Sequence, residues 1–263
     1  MKNITLQLEN TTVDCIQFGK GKKQLIMIAG LGDGLKTVKG MALPFSIMYS
    51  KYTKEYTVTV ISRNNTLKEN DTTKEMAIDL KKVMDCLEIK KADIIGVSQG
   101  GMIAQHLAVL YPKCINKLVL VVTVPYSNEM TKQLISNWIQ YVENNNYKQL
   151  MDENVRMMYT DKYYQSNKWM IPFVSKFSKP KSFERFIIMA KACITHDCDV
   201  TSIQVPTFII GGKCDQVVGI EGSIELHNKI KNSKLLIYDK YGHALYEEAK
   251  DFNDQILKFL RMC

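Results

Sequence analysis

Hydrophobic residues along the chain follow two patterns, one with a period of two and one with a period of three to four. Residues 3–8 and 12–18 alternate polar and apolar positions around Asn10-Thr11, which predicts a hairpin of two strands. Apolar or β-branched runs predict six more strands, at residues 24–29, 56–61, 92–97, 118–122, 205–210 and 234–238.

Helical periodicity fills most of the intervals between these strands. Residues 73–87 place apolar side chains, among them Met76, Leu80 and Val83, on one helical face. Further helices are predicted at residues 99–111, 219–230 and 247–260, the first of them stopped by Pro112. Strands that alternate with helices predict an α/β fold, with a mostly parallel central sheet flanked by helices.

The interval 126–195 breaks this alternation. It is rich in aromatic residues and methionine, has the pattern of helix throughout, and contains no convincing buried strand. We therefore predict a helical cap inserted into a core of residues 1–125 and 196–263, with breaks between cap helices at residues 144–146 and 179–180. The aromatic and methionine side chains either line a substrate pocket or form the cap's own core, and both readings stay open.

Composition narrows the class of protein. The net charge of +8 comes almost wholly from lysines, which look scattered rather than clustered, and this argues against a nucleic-acid partner. No apolar stretch is long enough for a membrane span, and the first residues lack the apolar region of a secretory signal. The seven cysteines, an odd number without Cys-x-x-Cys spacing, are typical of reduced thiols. A cytoplasmic protein is expected.

The strongest chemical motif is Gly96-Val97-Ser98-Gln99-Gly100, which follows a predicted buried strand and precedes a predicted helix. A sharp strand-to-helix turn exposes the serine hydroxyl, and glycines two residues away on either side avoid collisions. The N-terminus of the following helix favours negative charge that develops nearby. The motif predicts Ser98 as a nucleophile. The alternative is an ordinary glycine-rich connection.

An acyl-transfer serine needs hydrogen-bond donors for the oxyanion. In this kind of turn, one donor is the backbone N–H of the residue after the serine, here Gln99, and the other comes from a loop after an earlier strand. The loop Ala29-Gly30-Leu31-Gly32 has that position, so the Leu31 N–H is the second predicted donor. The alternative is a simple glycine turn.

A serine nucleophile needs a general base, and the chain has four histidines that could serve as one. His106 and His227 fall inside predicted helices, and His196 falls at the end of the predicted cap. His243 follows the last predicted strand and precedes the final helix, where the third member of the order Ser…Asp…His belongs. His243 is the predicted base, and the alternative is a solvated loop histidine.

The acid that orients the base should also follow a strand, because open α/β sheets assemble their sites at the carboxyl ends of their strands. Asp215, in Gly211-Gly212-Lys213-Cys214-Asp215, follows the strand at 205–210 and is the predicted acid. Asp239 is the main competitor, since it ends the last strand. Asp197 and Asp199 precede a strand and would lie at its far end.

Three segments together resemble one known family, the α/β-hydrolase superfamily, over nearly the whole chain outside 126–195: residues 96–105, 211–215 and 242–243. Around the serine the chain is similar to bacterial esterase and enol-lactonase-type members. The resemblance implies an α/β-hydrolase fold and the following roles: Ser98 as nucleophile, Asp215 as acid, His243 as base, and Leu31 and Gln99 as oxyanion donors.

Two positions depart from the family pattern. The usual His-Gly before the oxyanion residue is Ala29-Gly30 here, which removes a loop support but keeps the backbone donor. The usual Asp-x-x-Gly-x-Gly-x-Ser loop after the fourth strand is replaced by Ser62-Arg63-Asn64-Asn65-Thr66. Because function lies in the site rather than in the fold, the substrate is not transferred by analogy.

These residues predict acyl transfer to water, with a small, partly apolar carboxylic ester, lactone or thioester as substrate and no metal or organic cofactor. Two other classes remain open. One is different chemistry on the same residues, namely hydrolysis of a carbon–carbon bond or of an amide or peptide, or acyl transfer to another acceptor. The other is a non-catalytic protein that binds a ligand under the cap.

Overall fold

An eight-stranded sheet forms the centre of the computed structural model, which describes residues 1–262. The strands are β1 (Lys2–Gln7), β2 (Thr12–Phe18), β3 (Lys23–Ile28), β4 (Tyr56–Asn64), β5 (Ala92–Val97), β6 (Ile115–Val121), β7 (Thr207–Gly212) and β8 (Ser233–Tyr238). Their spatial order is β1-β2-β4-β3-β5-β6-β7-β8. β1 and β2 are antiparallel, and the six strands from β4 to β8 in that order are parallel. The predicted fold class is confirmed.

Eleven α-helices accompany the sheet within the described residues: α1 (Ala42–Met48), α2 (Thr73–Cys86), α3 (Gln99–Leu110), α4 (Glu129–Glu143), α5 (Tyr147–Met158), α6 (Asp161–Asn167), α7 (Ile171–Ser178), α8 (Glu184–Ile194), α9 (Ile220–Lys229), α10 (Leu245–Glu248) and α11 (Phe252–Arg261). Helices α4 to α8 all lie between β6 and β7 in the sequence. No helix in residues 1–262 has both the length and the apolar character that crossing a bilayer requires.

Successive side chains of a strand point to opposite sides of the sheet, and in the central strands both sides are covered by apolar clusters. In β5, Ile94 belongs to the apolar cluster shared with α2 and α3, whereas Ile95 belongs to the cluster shared with α11. This explains why the predicted strands are continuous apolar runs. Chain order reverses between the neighbouring strands β3 and β5, and such a reversal opens a crevice at the carboxyl ends of the strands.

Three local expectations need correction. The predicted loop at 62–66 is wrong for its first half, because β4 continues to Asn64 and its last polar side chains are buried. The predicted helix at 247–260 is two helices, since the backbone turns extended at Ala249 between α10 and α11. Helix α1 was not predicted. It carries Pro44 in its first turn, where proline is tolerated.

Candidate active site

Ser98 lies in a tight turn between β5 and α3, with φ 53° and ψ −120°, an uncommon conformation for a residue with a side chain. Its neighbours leave room only for glycine. A Cβ on Gly96 would lie 2.4 Å from the Gly100 carbonyl oxygen, and one on Gly100 would lie 2.0 Å from the Ile28 carbonyl oxygen. Both glycines therefore let the start of α3 pack directly on β5 and β3.

The three residues predicted to act together lie in one hydrogen-bonded chain. Ser98 Oγ is 2.9 Å from His243 Nε2, and His243 Nδ1 is 2.9 Å from Asp215 Oδ2. Asp215 and His243 are buried, and the second carboxylate oxygen of Asp215 accepts bonds from the Val217 and Val218 N–H groups at 2.8 and 3.0 Å. Because a carboxylate only accepts, Nδ1 carries the proton and Nε2 is free to accept from the serine.

The sheet explains why these residues meet. Asp215 follows β7 and His243 follows the adjacent strand β8. A Cβ on Gly212 would lie 2.6 Å from the Gly242 carbonyl oxygen, so only a glycine allows the two loops to approach this closely. The competing Asp239 is largely exposed and pairs with Lys213 at 3.7 Å, away from the histidine.

The two predicted oxyanion donors each begin a helix. Gln99 is the first residue of α3, and Leu31 is the first residue of a 3-10 turn, Leu31–Gly34, that follows β3. First-turn N–H groups have no acceptor within their own helix. A Cβ on Gly30 would lie 3.3 Å from Ser98 Cβ, so the loop before Leu31 packs against the serine. The Gln99 side chain points into the core, where it donates to the Met189 carbonyl at 2.6 Å.

A buried cluster that the sequence analysis missed supports the Leu31 loop. Arg63, at the end of β4, donates from Nη2 to the carbonyls of Ala29 and Gly30, and to Gln99 Oε1 at 3.2 Å. One guanidinium group thus ties together the two backbone segments that carry the predicted donors.

A single carboxylate supplies the negative charge in this cluster. Asp33 accepts from Ser62 Oγ at 2.6 Å, from the Arg63 N–H at 3.0 Å, and from Arg185 Nη2 at 2.5 Å. Burial and the second arginine lower the pKa of Arg63, although guanidinium groups stay charged at neutral pH. The sequence held one signal: only four arginines occur among many lysines, and Arg63 and Arg185 are two of them.

We expect Asp33→Asn to lower the free energy of unfolding by about 3–5 kcal/mol, because it leaves the buried Arg63 and the half-buried Arg185 without a counter-charge. Denaturant unfolding measures the loss. The matched control is Asp93→Asn, a similarly buried carboxylate that accepts a bond from Tyr56 Oη at 2.9 Å and forms no ion pair with an arginine or lysine within residues 1–262. Equal losses in the two variants would contradict the assigned role.

A cavity of about 500 Å³ opens above the serine and is lined mainly by apolar side chains. Helix α1 and the residues around it contribute Met41, Phe45, Met48 and Tyr49, and helices α4 and α5 contribute Ile135, Trp138, Leu150, Met151 and Met158. Trp138 is buried at the cavity, whereas Trp169 is 74% exposed and lies outside it. Some aromatic and methionine residues of 126–195 thus line the cavity, whereas others, such as Trp169, lie outside it. Lys36 is the one lysine or arginine among the described lining residues.

The remaining histidines lie away from the serine. His196 is buried in the core, where its ring nitrogens lie 2.9 Å from Thr73 Oγ1 and 3.2 Å from the Val124 carbonyl oxygen. His106 packs edge-on against it with ring centroids 5.3 Å apart. His227, in α9, lies 2.8 Å from Ser233 Oγ. These contacts are those of structural histidines.

His196 makes stability depend on pH. Burial, with a smaller contribution from His106, lowers the pKa of His196 to about 3, whereas an unfolded histidine titrates near 6.5. Between these values the unfolded chain binds more protons, so the free energy of unfolding falls as the pH drops from about 6.5, by up to about 1.4 kcal/mol per unit from this residue. Between pH 7 and pH 5, the free energy of unfolding measured with urea should fall less for His196→Gln than for His227→Gln. The same slope in both variants would contradict the prediction.

Comparison with known proteins identifies the fold family of the chain. Residues 25–250 match the family model of the α/β hydrolase fold, and the chain belongs to that family. Among curated relatives, 2-hydroxy-6-oxo-2,4-heptadienoate hydrolase of Pseudomonas putida is 28% identical over 188 residues, which are 68% of this chain and 66% of that protein. The chain therefore matches about two thirds of the length of that relative.

Solved structures share the whole fold. An α/β hydrolase enzyme, MGS-M2, from a Medee basin deep-sea metagenome library superposes with a TM-score of 0.85 at 22% identity, covering 99% of this chain and 98% of that one. The enol-lactonase from Burkholderia xenovorans LB400 superposes with a TM-score of 0.84 at 18% identity, covering 98% of this chain and 100% of that one. At these identities the likeness extends to the fold alone.

Proposed function

We propose that the chain is a serine hydrolase that cleaves a small, partly apolar carboxylic ester, lactone or thioester through an acyl-enzyme on Ser98. The observation that carries the proposal is the continuous chain of hydrogen bonds from Asp215 through His243 to Ser98 at the floor of a mostly apolar cavity. Such a chain activates a hydroxyl that is otherwise a weak nucleophile.

In the first step, His243 Nε2 takes the proton of Ser98 as the oxygen attacks the substrate carbonyl. The negative charge that forms on the carbonyl oxygen is stabilised by the N–H groups of Leu31 and Gln99 and by the N-terminus of α3. Asp215 holds the imidazole in the required tautomer and stabilises its protonated form. His243 then gives the proton to the leaving alcohol, and the acyl group stays on Ser98.

In the second step, His243 takes a proton from water as the water oxygen attacks the acyl-enzyme through the same oxyanion stage. The bond between the acyl carbon and Ser98 Oγ then breaks, and His243 returns the proton to Ser98 Oγ as the acid leaves. Residues 126–195 are proposed to act as a cap over a core of residues 1–125 and 196–263. The contribution of α4 and α5 to the cavity lining supports this division. Apolar side chains there would contact the acyl or alcohol group of the substrate.

A second candidate is hydrolysis of a carbon–carbon bond next to a ketone, and the curated relative from Pseudomonas putida favours it. The name of that relative describes a carboxylate substrate. In this chain the cavity offers Lys36 as its basic side chain within the described residues, while Arg63 and Arg185 are committed to Asp33. Two acidic side chains, Asp33 and Glu247, also line the cavity and would oppose an anion, so the cavity favours an uncharged ester.

The test compares the two substrate classes on one preparation. Turnover of p-nitrophenyl acetate, butyrate and octanoate is measured beside turnover of 2-hydroxy-6-oxo-2,4-heptadienoate, and a fluorophosphonate probe is used to label the serine. Ester turnover that exceeds dienoate turnover, with the probe on Ser98, is the expected result. Faster dienoate turnover would select the second candidate. No turnover and no labelling would overturn both and leave the ligand-binding alternative.

A further inference from the structure

Residues 162–181 present three large aromatic side chains to solvent. Trp169, Phe173 and Phe177 are 74%, 68% and 69% exposed and are spaced four residues apart. In α7, Ile171 and Ser175 are buried, and a residue two positions further along a helix points about 200° away. Phe173 and Phe177 therefore form an outer apolar face, with their ring centroids 4.6 Å apart. Exposed apolar patches of this kind mark interaction sites.

The same segment is strongly and uniformly basic. It contains five exposed lysines and neither aspartate nor glutamate: Lys162, Lys168, Lys176, Lys179 and Lys181. None of the five forms an ion pair with any residue in 1–262. The expectation of scattered lysines therefore does not hold here.

We propose that residues 162–181 dock the protein on an anionic lipid surface. Aromatic side chains lie at the boundary between headgroups and acyl chains, and flanking lysines keep their ammonium groups among the anionic headgroups. Each lysine near such a surface adds to the attraction, so five lysines that form no ion pair with a carboxylate in residues 1–262 suit this partner. The docking is peripheral and needs no spanning helix.

Two other partners fit the surface of residues 162–181 less well. A second copy of the chain, related by a two-fold axis, would bring the same patch from each copy together and oppose lysine to lysine. A single-stranded nucleic acid needs open aromatic faces on which successive bases stack. Phe173 and Phe177 instead pack on each other, with an angle of 49° between the rings. The three aromatic residues also lie outside the lining of the cavity, so they do not serve the substrate there.

The chain carries its own reporter for this docking, because it has only two tryptophans, and Trp138 is already buried. Mixing with vesicles of phosphatidylglycerol and phosphatidylcholine should shift the tryptophan emission to shorter wavelength, and pure phosphatidylcholine vesicles should not. Raising the salt concentration should weaken the effect, since screening reduces attraction between exposed charges. Trp169→Phe should remove the shift but keep co-sedimentation with the anionic vesicles.

Variants distinguish the contribution of residues 162–181 to vesicle binding from the contribution of the protein's overall charge. The triple change Trp169→Ser, Phe173→Ser and Phe177→Ser, and separately the change of all five lysines of the segment to glutamine, should each lower the vesicle partition coefficient about ten-fold or more. The matched control changes five exposed lysines elsewhere to glutamine: Lys20, Lys22, Lys90, Lys91 and Lys231. Thermal unfolding checks that every variant is folded.

Four results would overturn the proposal. These are the absence of binding to anionic vesicles, an equal loss in the control variant, retention on single-stranded polynucleotide that exceeds vesicle binding, and self-association that the triple change abolishes. The readout is vesicle binding and does not depend on whether the chain hydrolyses esters.

Discussion

Replacing Ser98 by alanine is expected to lower kcat for ester hydrolysis by about 10⁴-fold or more while leaving KM nearly unchanged. The hydroxyl that lies 2.9 Å from His243 Nε2 is the atom that would carry the acyl group, and alanine removes it without adding bulk to the tight turn after β5. The proposed oxyanion donors and the cavity remain in the variant, so we expect a slow residual turnover in which water attacks the substrate directly. Steady-state kinetics with p-nitrophenyl butyrate measures both constants.

The matched control for this change is Ser127→Ala. Ser127 is also buried, and its hydroxyl donates to the Cys193 carbonyl rather than to His243. Its removal should affect stability more than kcat. A Ser98→Ala enzyme that keeps a tenth or more of the wild-type kcat, or that is still labelled by a fluorophosphonate, would contradict the nucleophile assignment.

Asp215→Asn is expected to lower kcat by about 10⁴-fold with little change in overall structure. The carboxylate accepts the Nδ1 proton of His243, and an amide nitrogen at that place would donate to Nδ1 instead. The proton would then move to Nε2, which could no longer accept from Ser98. The amide oxygen can still accept from the Val217 and Val218 N–H groups, so the loop after β7 should keep its shape.

Asp239→Asn provides the comparison for the acid. Asp239 also follows a strand and differs from Asp215 in being exposed and paired with Lys213. The variant should keep the wild-type kcat within about two-fold, as expected for a weak surface ion pair. If Asp239→Asn lost activity and Asp215→Asn did not, the assignment of the acid would be reversed.

Most strands were predictable because a strand buried on both faces must be apolar at nearly every position. This held for β5, whose predicted and observed bounds agree. The hairpin of β1 and β2 was predictable for a different reason, the alternation of polar and apolar residues. The prediction failed where polar residues are buried. The end of β4 resembles a loop in sequence, yet Ser62 and Arg63 bond to Asp33, and Asn64 donates to Asp79 at 2.6 Å.

The candidate site likewise has a part that was predictable from the sequence and a part that was not. Ser98, Asp215 and His243 each follow a predicted strand, and the order of strands in the sheet brings them within hydrogen-bond distance. Their catalytic roles remain predictions. The support of the Leu31 loop by Arg63 was not predicted, because its contacts join residues more than 30 positions apart in sequence and no local pattern records them.

The sequence by itself determined the α/β class, the parallel sheet and the turn that exposes Ser98, because apolar periodicity and glycine spacing act over a few residues. Only the tertiary structure decided which aspartate meets His243, which arginines neutralise Asp33, and which aromatic side chains line the cavity or face solvent. These outcomes depend on the distance between distant segments after packing. A charge or a hydrogen bond acts over a few ångströms in space, whatever the separation along the chain.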